Sequence, residues 1–329
     1  MKIDKYEIEM LGVNDAEALI IHFHESEPNP GKEHIVLIDA GNKSDGKKII
    51  DFINEHYHTN VIDLAICTHS DSDHFGGFIT FLEEMKKADQ TKEKLKIKKF
   101  LLNAPYNWDS KIGKQLYSTE DGRTNLVDLL MELKIEVQNG FADDSNWENP
   151  FPGVLTIISP SEKYYRSLQD SICRQKGIKP LVTERRKLFT QNNIDDYSND
   201  ASAANKSSLA VLFTPIPHKN YVFAAEMEED AFENMSYELK TKCKNVSFLK
   251  IPHHGSNHNI NSKILNHYNP KTVFISATDK TLNKNNGLKN YFKNKNSIEV
   301  YTTHGTNNVC LRQGYEKKKN YSKASPIWQ

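Results

Sequence analysis

Four metal-capable side chains stand within six residues in His69-Ser70-Asp71-Ser72-Asp73-His74. Imidazole nitrogens mixed with carboxylate oxygens suit zinc, manganese or iron, not a thiolate cage. The segment follows an apolar run, Asp63-Leu64-Ala65-Ile66-Cys67-Thr68, and precedes Gly76-Gly77. In one turn at the end of a strand, alternate side chains can diverge toward two metal positions. The paired glycines then let a helix begin close beside them.

The elements around this turn read as a layered α/β chain. Alternation predicts strands over Tyr6–Met10, Ala18–Phe23 and Ile35–Asp39, and the spacing of Ile49, Ile50, Phe52 and Ile53 predicts a helix over Gly46–His56. Asp63–Thr68 is a buried strand, and a helix starts near Phe75. Further strands are expected at Phe100–Asn103, Val154–Ile158, Leu209–Phe213, Tyr221–Ala225, Val246–Ile251, Val273–Ser276 and Ile298–Tyr301, with a helical segment from Met227 to Leu239. Two sheets packed between helices is the economical architecture. Residues 161–207 are polar and carry Arg185-Arg186-Lys187, which reads as an insertion or lid on a single domain over 1–315. Residues 316–329 form a polar C-terminal tail.

Composition narrows the function classes. With 43 basic and 43 acidic residues the formal net charge is zero, so any anion-binding feature must be local. The hydrophobic share is 37%, which implies a very polar surface, while 10% aromatic residues still supply a core. Cys67, Cys173, Cys243 and Cys310 lie far apart with no CxxC, and Cys67 and Cys310 sit in strand-like runs as small buried hydrophobes. Met1–Tyr6 leads into a strand rather than a signal peptide, and no run reaches the ~18 apolar residues of a membrane span. A cytoplasmic chain is expected.

The segment Thr68–Gly77 resembles the signature of the metallo-β-lactamase superfamily, HxHxDH followed by two glycines, with Asp71 where most members carry histidine. In that substitution it is similar to the hydrolase domain of ComEC-type DNA-uptake (competence) proteins. Val13–Ile20 resembles that subset's first strand-turn-strand, and Ile38-Asp39-Ala40-Gly41 its first acidic motif. Asn205-Lys206-Ser207-Ser208-Leu209 is similar to its Asn/Ser-Leu strand entry, and Lys250–Ser256 to its Pro-His-His-Gly-Ser motif. The likeness runs from Tyr6 to Arg312.

The resemblance implies a four-layer αββα sandwich whose metal centre lies at one edge between the sheets and holds two divalent ions, zinc or manganese. Carried over by position, His69 and Asp71 serve site one, and Asp73 and His74 serve site two. Glu226 stands where the family bridges its metals with an aspartate, and its side chain is one methylene longer. Either His253 or His254 closes site two; His254 is the preferred ligand, which leaves His253 to face a substrate oxygen. No third-motif histidine precedes Leu209, so Asn205 or a water completes site one. Ser256, Arg185 and Arg186 join Asn205 as candidates for contacting substrate. His304 occupies the place of a Thr-Asp pair and is a further candidate.

The implied activity is hydrolysis by a metal-bridged hydroxide that attacks phosphorus or a carbonyl carbon, with Asp73 essential and His253 or His304 protonating the leaving oxygen. Ligand histidines must be neutral, so activity should collapse in acid. A phosphodiesterase or nuclease acting on nucleic acid leads the readings, and the chain has no membrane channel of its own, so a separately encoded protein partner is an implication. A small phosphodiester or a carbonyl compound as substrate is the alternative. An interaction protein on a decayed hydrolase scaffold is a third reading, suggested by Glu226 and the missing histidine.

Overall fold

The computed structural model describes residues 1–87, 95–144, 147–180, 202–256, 259–293, 295, 297–315 and 326–328. Strands β1 (Lys2–Met10), β2 (Ala18–Glu27), β3 (Lys32–Ala40), β4 (Val61–Ile66), β5 (Lys96–Leu101), β6 (Glu136–Gln138) and β13 (Val309–Gln313) form one sheet in the order β13-β1-β2-β3-β4-β5-β6. Strands β7 (Leu155–Ser159), β8 (Ala210–Ile216), β9 (Lys219–Phe223), β10 (Phe248–Lys250), β11 (Thr272–Ile275) and β12 (Glu299–Thr302) form the second, in the order β12-β11-β10-β9-β8-β7.

Alternation along each strand explains how the sheets stack. In β2, Ile21 and Phe23 point into the layer between the sheets, where they join Val36, Leu64, Phe213, Phe223 and Phe274. Ile20 on the other face joins Ile35 and Leu37 under the helices α1 (Gly46–His56) and α2 (Ser72–Lys87). The outer face of the second sheet, with Leu212, Val222 and Val300, is covered by α7 (Glu229–Glu233), α8 (Tyr237–Lys242), α9 (Ser262–Tyr268) and α11 (Asn286–Lys293) through Phe232, Leu239, Leu265 and Phe292. Both faces of each sheet are therefore buried, and the molecule is a four-layer αββα sandwich. All four cysteines are buried, and none is in a disulfide.

The predicted Gly46–His56 helix forms over those residues. The stretch from Met227 to Leu239, expected as one helical segment, contains α7 and the start of α8, which is capped afresh by Ser236 accepting from Leu239 N. Of residues 161–207, Glu162–Gln175 is helix α5, which buries Tyr165, Leu168, Ile172 and Cys173 in the core of the first sheet's outer face. Ala203–Lys206 is a short helix, α6, and residues 181–201, with Arg185 and Arg186, lie outside the described residues. Ile327 at the C-terminus donates its amide to Val300 O at 2.7 Å, and Trp328 stacks on Phe292.

Strands β3, β4 and β5 run parallel, as do β9, β10, β11 and β12. Their C-terminal ends meet at one edge of the sandwich, the place where open α/β sheets leave a crevice between diverging loops. Leu209 N donates to Thr68 O at 2.9 Å and ties the two sheets together there.

Candidate metal centre

The turn after β4 delivers His69, Asp71, Asp73 and His74 to this edge. The helix that follows can begin here because α2 touches the chain leaving β3. A Cβ on Gly77 would stand 1.8 Å from Ala40 O, and one on Gly76 would stand 2.6 Å from Lys43 N. Gly77 N bonds Gly41 O at 3.0 Å. The paired glycines thus set how closely the turn approaches the sheet.

Glu226, just past β9, lies buried at the centre of the cluster. Its Oε1 is 3.2 Å from His74 Nε2 and 3.5 Å from His254 Nε2. Its Oε2 is 3.5 Å from His69 Nε2 and 3.8 Å from His253 Nδ1. Asp71 Oδ2 lies 3.6 Å from His69 Nε2, and Asp73 Oδ2 reaches 4.0 Å from His74 Nε2 from the solvent side. Thus His69, Asp71, Asp73, His74, Glu226, His253 and His254 are brought to one place.

Hydrogen bonds at the outer nitrogens turn the imidazoles inward. Asp39 Oδ2 accepts from His74 Nδ1 at 2.7 Å. His69 Nδ1 donates to Thr68 Oγ1 at 3.0 Å, and that hydroxyl donates to Asp39 Oδ2 at 2.7 Å. His254 Nδ1 donates to Ser276 O at 2.7 Å. Each of these three rings therefore presents Nε2 to Glu226, the arrangement in which an outer partner fixes the tautomer of a metal ligand. His253 is turned the other way, its Nδ1 taking a 3.2 Å bond from the Asn205 amide. Ala225, His253 and His254 hold φ between 45° and 53°, so backbone strain gathers at the site.

Charge is balanced tightly. Burial and neighbouring His74 pull the His69 pKa down, but Asp71 and Glu226 outweigh them and hold it at about 9. Burial disfavours the Glu226 carboxylate, yet His254, His69 and His74 bring it well below the usual range. For Asp71, burial is likewise outweighed by His69 and by Lys176, whose Nζ sits 2.7 Å from Oδ1. Burial, with smaller contributions from His254 and Lys250, lowers the His253 pKa against the pull of Glu226 and Glu17.

These donors fit divalent ions. Two ligands each 2.0–2.1 Å from a tetrahedral ion stand about 3.4 Å apart, which is the spacing found around Glu226. His69 Nε2 is buried with no hydrogen-bond partner, and His69, His74 and Glu226, and Glu226, His253 and His254, form two ligand groups that share one carboxylate. His304 pairs with Asp279 instead, Nδ1 to Oδ1 at 2.5 Å. Ser256 ends the His253–Gly255 turn, its amide bonded to His253 O.

Four residues at this edge, Asp39, Lys176, Glu17 and Lys250, were not among the predicted site residues. Asp39 was visible only as part of a motif, yet it orients His74 and, through Thr68, His69. Lys176 carries no sequence signal toward Asp71, 105 residues away. Glu17 and Lys250 form a fully buried ion pair behind the cluster, where Lys250 Nζ also donates to Ala225 O at 2.8 Å.

Compared with known protein families, the chain matches none, and no curated protein matches it. Among solved structures it is similar to the metallo-beta-lactamase fold protein YhfI from Bacillus subtilis. The two are 11% identical over 94% of this chain and 100% of that one, with a TM-score of 0.48.

Proposed function

We propose that the chain is a metal-dependent phosphodiesterase of the metallo-β-lactamase type, acting on nucleic acid. The observation that carries this reading is the buried Glu226 carboxylate, with one oxygen toward His74 and His254 and the other toward His69 and His253. Divalent ions, if held by His69, His74, His254 and Glu226 with Asp71 and Asp73, would supply Lewis acidity and an acidified water. Asp39, Thr68 and Ser276 O keep the ligand nitrogens in place before substrate arrives, so little reorganisation remains at the moment of reaction. The Asn205 amide donates to His253 Nδ1, which leaves the ring proton on Nε2, and this half-exposed imidazole is placed to protonate a leaving oxygen.

The substrate class is supported by charge. Beside Asp71 lies a groove of about 720 Å³ lined by Lys111, Lys114, Arg123 and Lys176, with Asp128 and Glu132 as its acidic members. Lys176 pairs with Asp71, Lys114 with Asp128 and Arg123 with Asp121, so a phosphate backbone would bind by competing with these carboxylates, which predicts strongly salt-dependent binding.

The test is a metal count on freshly purified protein, followed by incubation of metal-loaded protein with single-stranded DNA, RNA, a cyclic dinucleotide and bis(p-nitrophenyl) phosphate. Metal-dependent cleavage of DNA or RNA is expected. Cleavage of the small esters alone would move the assignment to a small phosphodiester, and a chain that takes up no metal after reloading would be an interaction module.

A further inference from the structure

Away from the Glu226 cluster, β2 and β3 assemble another set of donors. His22 and His24 are two residues apart and share a face, and Glu33 stands directly opposite His24 in the β2–β3 register. Glu7 of β1 stands opposite His22. This is the face under α1, where His22 is buried beside Ile20, Ile35 and Tyr57. Polar groups in such a layer are costly unless they are fully partnered.

We infer that His22, His24 and Glu33 form a second site for a divalent transition metal of the zinc class. Glu33 Oε2 lies 3.3 Å from His22 Nε2, and Oε1 lies 3.4 Å from His24 Nε2. One donor atom from each of the three residues lies within 4.8 Å of the others. That spacing matches the roughly 3.4 Å between neighbouring ligands of a tetrahedral ion, and two histidines with one glutamate are a known zinc set that leaves a fourth position open.

The surroundings of His22 repeat the pattern seen at His74. Glu7 Oε1 faces His22 Nδ1 at 3.2 Å, and Arg312 Nε donates to the other Glu7 oxygen at 2.9 Å. A carboxylate on Nδ1 leaves Nε2 as the ligand atom. Tyr57 packs on the His22 ring with centroids 4.2 Å apart. Tyr315 stacks on His22 at 5.2 Å and meets His24 edge-on at 5.4 Å, and its phenol oxygen is buried without a partner. His24 and Glu33 keep partial exposure, which gives an ion a way in. A dication there would be met by Glu33, which lies between His22 and His24, while Glu7 stays paired with Arg312. It also fastens β2 to β3 and, through Tyr315, holds the chain beyond β13. Glu33 and Asp39 are six residues apart on one strand, about 20 Å, so this ion takes no part at Glu226.

Cobalt(II) titration tests the inference in a His69→Ala/His254→Ala background, which disables the Glu226 cluster. One equivalent should still bind, with the visible absorption of tetrahedral cobalt, and zinc should displace it. Adding His24→Gln should weaken that binding by at least about a hundredfold, and Glu7→Gln by about tenfold or more. Glu33→Gln should reproduce the His24→Gln result, with far-ultraviolet circular dichroism unchanged in each variant. If the background variant binds no cobalt, or binds it equally well after His24→Gln and Glu33→Gln, the site does not exist. Failure of the phosphodiesterase assignment would leave these readings untouched.

Discussion

At the scale of single residues, Asp73 carries the sharpest expectation. Its carboxylate approaches His74 Nε2 from solvent, so Asp73→Ala removes one donor and one negative charge without opening a core cavity. Hydrolysis of the best substrate should fall by at least about a hundredfold, the order seen when one key electrostatic group is deleted. Metal content should drop, while urea unfolding stays near that of the parent. Ser72→Ala, the exposed neighbour, should change neither; normal turnover with full metal in Asp73→Ala would remove this turn from the catalytic centre. The density of donors between His69 and His74 made the turn legible, and Glu226, His253 and His254 were legible through motif likeness. The roles of Asp39, Lys176 and Glu17 were not. Each acts across a long stretch of chain, and local spacing is silent about which carboxylate will meet which imidazole once two sheets stack.

At the scale of elements, the contact between α2 and the end of β3 sets the approach of the whole turn. With 1.8 Å between a Cβ at position 77 and Ala40 O, Gly77→Ala cannot be absorbed by a side-chain rotation. It should destabilise the chain by about 1–3 kcal/mol, the usual range for overpacking, and lower metal affinity with it. Equilibrium denaturation alongside a metal titration checks both. At the opposite end of the same sheet, Asp63 of β4 accepts from Ile35 N of β3 and from Lys98 Nζ of β5. Burial raises its pKa, but His34 and Lys98 outweigh burial and leave it below the ordinary value. A depressed carboxylate stabilises the fold above about pH 4 and loses that contribution as pH falls through the lower folded value. Asp63→Asn should therefore cost about 1–2 kcal/mol at pH 7, and the gap to the parent should narrow as pH falls below the ordinary carboxylate value. Strands with clear alternation were legible, as was α1. Short helices such as α3 (Lys111–Leu116), α4 (Leu126–Glu132) and α10 (Asp279–Leu282) were not, because one or two turns hold too few apolar positions to show a period.

At the scale of the whole molecule, the centre joins the two sheets, alongside ties such as Tyr6–Tyr221, Glu17–Lys250 and Ser276 Oγ to Ala16 O. His69 and His74 come from the chain after β4, and Glu226, His253 and His254 from the chain after β9 and β10, so an ion bound at Glu226 fastens the first sheet to the second. Such an ion binds the folded chain and not the unfolded one, because the donors meet only when both sheets are in place. Free metal at a hundred times its dissociation constant then adds about 2.7 kcal/mol of stability. For a chain of this length the unfolding entropy makes that a rise of about 4 °C in Tm. The measurement belongs in a His24→Gln background, so that only the inter-sheet centre responds, with chelated and metal-loaded samples melted side by side. The rise should grow with the logarithm of free metal and vanish in Glu226→Ala. A Tm indifferent to metal would mean that these donors do not gather around an ion, and the histidine-ringed carboxylate would then be a structural salt-bridge network between the sheets.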